Sequence, residues 1–136
     1  MVLADLDRFK AINDTHGHLA GDHVLREAAE RLSGAVRASD YVGRYGGEEF
    51  LLILPACPAS RALTLTDRIL ERFRDTPFAM AAGNLSVSIS LGVAMAVAGA
   101  RASAADLIRE ADEAMYQAKR AGGNCAVFAE LVPTHP

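Results

Sequence analysis

The alternation of hydrophobic and polar positions predicts short strands and amphipathic helices in turn. Apolar residues recur at helical spacing in three segments, and short apolar or alternating runs separate those segments. The predicted strands are residues 2–6, 41–45, 50–54, 85–96 and 124–128. The predicted helices are residues 22–38, 60–74 and 104–121. Ser103 is expected to cap the last helix, and Gly122 with Gly123 to end it.

The order of these elements predicts an α+β fold. Strand, helix, hairpin, helix, strand, helix and strand make a β-α-β-β-α-β core with one added helix and strand, which is the ferredoxin-like plan. Residues 1–129 are expected to form one domain, and residues 130–136 a disordered tail. An apolar strand at the very start of the chain suggests a domain cut from a longer protein.

Composition and charge narrow the class of protein. The 136 residues fit one domain, and a net charge of −3 argues against holding nucleic acid by bulk charge. Residues 76–100 carry no charge, but residues 85–93 alternate with period two, which favours a strand over a membrane helix. Without a secretory signal, the domain is expected to be cytoplasmic, although its parent protein could be anchored in a membrane. Cys57 and Cys125 are expected to be buried apolar residues.

Acidic residues stand at the ends of predicted neighbouring strands. Asp5 and Asp7 end the first strand, and Glu48 and Glu49 occupy the hairpin tip. In a β-α-β-β core these strands are adjacent, so Asp5 and Glu48 are expected to lie close together. Two such carboxylates repel each other unless a cation lies between them, and a hard divalent ion prefers oxygen ligands. This pattern favours metal-dependent phosphoryl or nucleotidyl transfer, with the metal at Asp5 and Glu48. The alternative is that these are solvated turn acids, and for Asp7 alone either that alternative or a supporting role is favoured.

Two further groups of residues could contact a nucleotide. Gly46 and Gly47 either let a ligand approach the backbone or form a plain type I′ turn. Lys10 either binds phosphate or is solvated. Asn13 and Asp22 either read the edge of a guanine or cap helices. Two more glycines, at positions 17 and 21, are expected to interrupt the helix in this stretch.

Four segments, in order and at matching spacing, resemble the GGDEF domain family, the diguanylate cyclases. They are DLDRFKAINDTHGHLAGD (5–22), RYGGEEF (44–50), VSISLGVA (87–94) and ADEAMYQAKRAGGN (111–124). The resemblance implies a ferredoxin-like palm, similar to the palms of nucleotidyl cyclases and polymerases. It also implies that two GTP molecules are condensed into cyclic di-GMP with release of two pyrophosphates.

The resemblance further implies roles for individual residues. A Mg²⁺ (or Mn²⁺) ion is implied at Asp5, Glu48 and the carbonyl of Leu6. Glu49 is implied in catalysis, with metal or base chemistry. The residues implied to contact GTP are Asn13 and Asp22 for guanine, Lys10 and Lys119 for the triphosphate, and Gly46 and Gly47 along the nucleotide.

A second site is implied just before the hairpin. Arg37 and Asp40 match the family's RxxD inhibitory motif for cyclic di-GMP, and Arg68 matches a further arginine of that site. The alternative is an ordinary surface ion pair. Because the family's reaction joins two GTP molecules, the resemblance also implies an antiparallel homodimer and a sensory or receiver domain in the parent protein.

Two departures from the family pattern leave an alternative open. Gly123 stands where the family usually has Arg, four positions after Lys119, and the usual helical lead-in before the first strand is absent. The alternative is a weakly active or inactive domain that binds cyclic di-GMP or GTP. A nucleic-acid-binding domain of the same fold is disfavoured by the acidic balance and the low aromatic content of 6%.

Overall fold

The computed structural model describes residues 1–130 and shows the expected ferredoxin-like core. A five-stranded mixed sheet has the strand order β2-β3-β1-β6-β7, and a separate two-stranded sheet pairs β4 with β5. The strands are β1 Val2–Leu6, β2 Tyr41–Arg44, β3 Glu49–Ile53, β4 Phe78–Met80, β5 Gly83–Leu85, β6 Ile89–Val93 and β7 Ala126–Phe128. The helices are α1 Phe9–His16, α2 His18–Ala35, α3 Ala59–Asp75 and α4 Ala104–Arg120.

The first strand is the centre of the sheet. It pairs antiparallel with β3 on one side and with β6 on the other, and β7 continues the sheet parallel to β6. Its side chains alternate between the two faces. Val2, Ala4 and Leu6 belong to the large core shared with α2 and α3, whereas Leu3 belongs to the smaller core beneath α4. Asp5 shares the parity of Leu3, so its side chain lies on the α4 face.

Helix α4 lies unusually close to β6. A Cβ atom on Gly92 would come 2.0 Å from the carbonyl oxygen of Ala111 and 2.3 Å from the backbone nitrogen of Met115. Only glycine permits this approach. Ser103 caps the helix as expected, with its hydroxyl accepting the backbone N–H of Asp106. The cap fixes where α4 begins, and the last turn of the helix lies beside the end of β1.

Two predicted elements are wrong in extent. The strand predicted over residues 85–96 is too long. Strand β6 covers only Ile89–Val93, and Leu85 belongs instead to the β4–β5 hairpin, which the sequence did not predict. The helix predicted over residues 22–38 starts earlier and ends at Ala35. Gly17, with φ +90°, separates it from α1, but Gly21 lies inside α2 and does not interrupt it.

Three smaller expectations concern the cysteines, a membrane-spanning segment and the C-terminal tail. Cys57 and Cys125 are free thiols that are only partly buried, so the prediction of buried cysteines was wrong; both lie in connecting segments and not within helices or strands. Within residues 1–130, no helix is long and apolar enough to cross a membrane. The predicted disordered tail lies, apart from Glu130, outside the described residues.

Candidate active site

The acidic cluster forms where β1 ends beside the start of β3. Asp5 is the register partner of Glu49, and the backbone N–H of Leu6 donates to the carbonyl of Glu48 at 3.2 Å. The structure thus places Asp5 beside both hairpin acids, as expected from the topology. Burial raises the pKa of Asp5, and the charges of Glu48 and Asp7 raise it further against the opposing effect of Lys119. Burial and the neighbouring carboxylates also raise the pKa of Glu49.

Lys119 lies at the centre of this cluster. Its ammonium donates to Asp5 Oδ1 at 2.8 Å and to Asp7 Oδ1 at 2.9 Å. It also lies 3.2 Å from the carbonyl oxygen of Leu6 and 3.4 Å from that of Asp5. Burial alone would lower the pKa of Lys119, but the two carboxylates outweigh burial and raise it. Lys119 is therefore the shared counterion of Asp5 and Asp7 at the end of β1.

Asp7 is the most heavily bonded acid of the cluster. Besides Lys119, its carboxylate accepts from Ser88 Oγ at 2.6 Å, Ser90 Oγ at 2.6 Å and the backbone N–H of Asn124 at 2.8 Å. Burial alone would raise the pKa of Asp7, but these donors lower it. Its side chain is only 11% exposed, so a solvated turn acid is the wrong interpretation, and a supporting role fits.

The donors to Asp7 were missed by reasoning from the sequence. Ser88 and Ser90 served only as evidence of period-two alternation, yet both present hydroxyl groups to one carboxylate from the same end of β6. The sequence does contain a pattern that could have predicted this contact. Two hydroxyl residues lie two positions apart, next to a strand that ends in acidic residues. Asn124 contributes through its backbone, which no side-chain pattern reveals.

A groove of about 340 Å³ opens beside the acids, on the α1–α2 side. It brings together most of the residues predicted to contact a nucleotide, although Gly46 and Lys119 do not line it. The lining residues include Lys10, Asn13, Asp22, Gly47 and Glu48. Phe9 and Leu25 add two apolar side chains, Arg44 a cation and His18 an imidazole. A site with an apolar wall, an amide, a carboxylate and basic groups suits a planar base joined to an anion.

Asn13 has a constrained position in this groove. Its Oδ1 atom is buried and has no hydrogen-bond partner among residues 1–130. The side chain lies directly over Gly21, where a Cβ atom would come 1.8 Å from Oδ1 and 2.9 Å from Cγ. Gly21 is therefore the residue on α2 that allows the amide to occupy this place. An unpaired buried polar atom at a binding groove is a candidate for pairing with a ligand.

The hairpin tip has no internal requirement for its two glycines. Neither Gly46 nor Gly47 has a positive φ, so the type I′ turn considered from the sequence is wrong. A Cβ atom on Gly47 would meet open space, and one on Gly46 only an ordinary contact with Glu49. The tip is held by Arg44, which donates to the carbonyls of Gly46 and Gly47 at 2.7–3.2 Å.

Gly123 contacts the acid cluster directly. It has φ +76°, and a Cβ atom there would lie 2.8 Å from Asp7 Oδ1. A side chain at this position would be strained and would push on the carboxylate that holds Lys119. The glycine therefore fits the local geometry of this chain.

The predicted second site is a partly buried ion pair. Arg37 binds the carboxylate of Asp40 through Nη2 at 3.1 Å and through its backbone N–H at 2.9 Å, and the side chain of Asp40 is only 3% exposed. Burial alone would raise the pKa of Asp40, but Arg37 lowers it, with a smaller effect from Arg61. Arg68 is exposed on α3, and no hydrogen bond joins it to this pair within the described part of the chain. Arg61, which was not singled out from the sequence, is the α3 arginine whose positive charge also lowers the pKa of Asp40.

The donor set at Asp5 fits a hard divalent cation in the manner of Mg²⁺. Residues 1–130 contain no group of three or more His, Cys, Asp or Glu side chains that could hold a metal by themselves. Mg²⁺ does not need one, since it is usually bound by one or two carboxylates together with substrate phosphates. The carboxylate of Asp5 and the carbonyl of Leu6 already hold one cation, the Lys119 ammonium, which shows that these oxygens are arranged to bind positive charge.

Together, the palm-like α+β sheet and the acids at its central strand end define a nucleotidyl cyclase type of domain. Residues 1–125 match the family model described as "Diguanylate cyclase, GGDEF domain", and the chain belongs to this family. The response regulator PleD of Caulobacter vibrioides is 48% identical over 128 residues, which cover 93% of this chain and 28% of that protein.

Two solved structures show the same fold. The GGDEF domain of PA1120 (YfiN or TpbB) from Pseudomonas aeruginosa has a TM-score of 0.88 and 40% identity, covering 96% of this chain and 81% of that chain. The GGDEF domain of DgcB from Caulobacter crescentus, in complex with cyclic di-GMP, has a TM-score of 0.87 and 32% identity. The match covers 93% of this chain and 75% of that chain. The chain thus spans 28% of PleD but most of the two solved GGDEF domains.

Proposed function

We propose that this domain is an active diguanylate cyclase that condenses two GTP molecules into cyclic di-GMP and releases two pyrophosphates. The observation that carries the proposal is that Glu48 belongs to both parts of the site. It lines the groove that contains Asn13 and Asp22, and its carbonyl accepts the N–H of Leu6, next to the cation-binding oxygens of Asp5 and Leu6. The oxygens can bind the metal ion of a metal–triphosphate complex, and the groove can read a guanine. The family supports the same reaction.

Each part of the site has a task in this proposal. Asn13 and Asp22 hydrogen-bond the guanine edge, and Lys10 with Lys119 binds the triphosphate. Asp5, Glu48 and the carbonyl of Leu6 hold Mg²⁺ or Mn²⁺, which when bound would neutralise phosphate charge and activate the 3′-hydroxyl. Glu49, whose pKa burial raises, is positioned to accept a proton. Gly46 and Gly47 let the nucleotide lie against the hairpin.

The product requires two domains. Each groove has one pair of guanine-reading groups and therefore binds one GTP, whereas cyclic di-GMP contains two phosphodiester bonds. Two domains facing each other antiparallel would let each 3′-oxygen attack the α-phosphorus of the opposite GTP. The bond between the α-phosphorus and the bridging oxygen breaks, and pyrophosphate leaves. The proteins mainly contribute orientation and charge.

We further propose that cyclic di-GMP binds at Arg37, Asp40 and Arg68 and inhibits turnover. The DgcB domain, which has the same fold, was solved with this nucleotide. In the present structure the guanidinium of Arg37 is engaged by Asp40 and by the carbonyl of Pro55 at 3.0 Å, so product would have to share or displace these bonds.

Incubation of the 136-residue chain with GTP and Mg²⁺, followed by chromatography, tests the reaction. Cyclic di-GMP is expected, with a rate that rises more steeply than the protein concentration because two domains must meet. ATP should give no cyclic product. If GTP yields no cyclic di-GMP even when two copies are joined by a fused coiled coil, the domain is a binding module and not an enzyme.

Calorimetry tests the inhibitory site separately. Arg37→Ala combined with Asp40→Ala should abolish cyclic di-GMP binding while leaving GTP binding intact. Unchanged cyclic di-GMP binding by the double variant would refute the assignment.

A further inference from the structure

The ammonium of Lys119 contacts the same oxygens that the proposed metal ion requires. It lies 2.8 Å from Asp5 Oδ1 and 3.2 Å from the carbonyl oxygen of Leu6. Mg²⁺ lies about 2.1 Å from its oxygen ligands. Two cations sharing Asp5 Oδ1 would therefore be separated by less than about 5 Å and would repel each other strongly. The ammonium and the divalent ion thus compete for one set of oxygens.

Asp7 offers the lysine a second place to bind. Its carboxylate accepts the Lys119 ammonium at 2.9 Å and is not part of the proposed metal site. Ser88 and Ser90, with the backbone N–H of Asn124, fix this carboxylate from three other directions. The ammonium can therefore leave Asp5 and Leu6 while keeping Asp7. Because the lysine side chain is still 30% exposed, it can then turn toward a ligand in solution.

We infer that Lys119 and the divalent cation are alternative counterions of Asp5, and that Asp7 is the positioning residue that retains Lys119 when the metal takes its place. This inference rests on the proposed metal site at Asp5. The exchange is favourable only when a new anion meets the displaced ammonium, and the triphosphate of GTP is such an anion. Metal alone therefore binds weakly, and metal with nucleotide binds tightly.

Titration with Mn²⁺, followed by the electron paramagnetic resonance signal of the free ion, tests the exchange without turnover. At fixed pH and ionic strength and without nucleotide, Lys119→Met should bind Mn²⁺ about tenfold more tightly than the parent, because the competing cation is gone. Methionine keeps the length of the side chain and removes only its charge. Thermal unfolding confirms that each variant is folded.

Arg120→Met is the matched control. It removes one positive charge from the adjacent position of α4, where the guanidinium lies over the ring of Tyr116 at 5.9 Å and outside the acid cluster. Its Mn²⁺ affinity should stay within about twofold of the parent if contact, and not net charge, sets the competition. A GTP analogue with a non-cleavable α–β bond should strengthen Mn²⁺ binding more in the parent than in Lys119→Met.

The outcomes separate this inference from the proposed function. If Asp5→Asn abolishes Mn²⁺ binding but Lys119→Met leaves the affinity unchanged or weaker, the metal site stands and the counterion exchange is wrong. An equal gain in Arg120→Met and Lys119→Met also overturns the exchange. If Asp5→Asn leaves Mn²⁺ binding unchanged both alone and combined with Lys119→Met, or if neither the parent nor any variant binds Mn²⁺, the metal site is wrong and the inference fails with it. If Lys119→Met binds Mn²⁺ and the parent does not, the result supports both the metal site and the counterion exchange.

Discussion

Replacement of Gly21 by Ala should damage nucleotide recognition without unfolding the domain. The new Cβ atom would lie 1.8 Å from Asn13 Oδ1 and 3.2 Å from the ring of Phe9. Both contacts are to the far ends of side chains, so the amide of Asn13 must leave its place over α2 while the backbone stays. Because Asn13 is proposed to read guanine, the groove should lose that contact.

The magnitudes follow from opposing terms. Alanine in a helix interior is favoured over glycine by about 0.5–1 kcal/mol. Forcing Asn13 from its rotamer costs about 0.5–1.5 kcal/mol. The free energy of unfolding should therefore change by less than about 1 kcal/mol. Loss of the guanine hydrogen bond to a buried amide should cost about 1–3 kcal/mol, which is roughly fivefold to 150-fold in GTP affinity.

Isothermal calorimetry with a GTP analogue and with its ATP counterpart measures this effect. Gly34→Ala is the matched control, since Gly34 lies on the same helix and a Cβ atom there meets only the end of Arg72 at 3.4 Å. Gly34→Ala should bind GTP like the parent, while Gly21→Ala loses affinity for GTP and most of its preference over ATP. Parental GTP affinity in Gly21→Ala, together with a clear loss in Asn13→Ala, would refute the positioning argument.

Three further variants test the fold and the ion pairs. Gly92→Ala should lower the free energy of unfolding by about 2–3 kcal/mol in a denaturant titration, because its Cβ meets the backbone of Ala111 and α4 must move away; parental stability would contradict this packing. Arg31→Ala should cost about 2 kcal/mol by thermal unfolding, since the guanidinium donates to three backbone carbonyls and lies 3.8 Å from an aromatic ring; full recovery by Arg31→Lys would exclude a role for the planar fork. Asp40→Asn should lower the melting temperature at about pH 7. Arg37 outweighs burial and holds the folded pKa of Asp40 below its usual 3.8, so the deficit of Asp40→Asn should vanish as the pH falls through and below that value; a pH-independent deficit would contradict the ion pair.

The sequence predicted the sheet well because its strands are separated by strong signals. Continuous apolar runs, the glycine pair at the hairpin and the helical spacing of α3 and α4 all agree with the tertiary structure. It failed at residues 85–96, where one alternating pattern runs across a break that only the pairing of β4 with β5 explains. Period two identifies extended backbone but does not identify the partner strand.

The sequence predicted the acidic residues of the candidate site but not the residues that hold the site in place. Asp5 and Glu48 are recognisable because charged residues at the ends of buried strands are costly without a purpose. Arg44 holds the hairpin tip through backbone carbonyls, and Asp7 is held by serines more than eighty positions away. Contacts to the backbone and between distant strands leave no local pattern. The closeness of Gly21 to Asn13 is likewise a consequence of how α1 folds back on α2.

The initial rate of cyclic di-GMP formation with Mg²⁺ in the parent, Asp5→Asn and Glu48→Gln tests the central claim most directly. Asp14→Asn, an exposed acid on α1, serves as the control for net charge. The account predicts product from the parent and from Asp14→Asn, and loss of at least about a thousandfold in rate when either cluster acid is neutralised. Product formation at the parental rate in Asp5→Asn or Glu48→Gln would contradict the claim that these acids bind the catalytic metal.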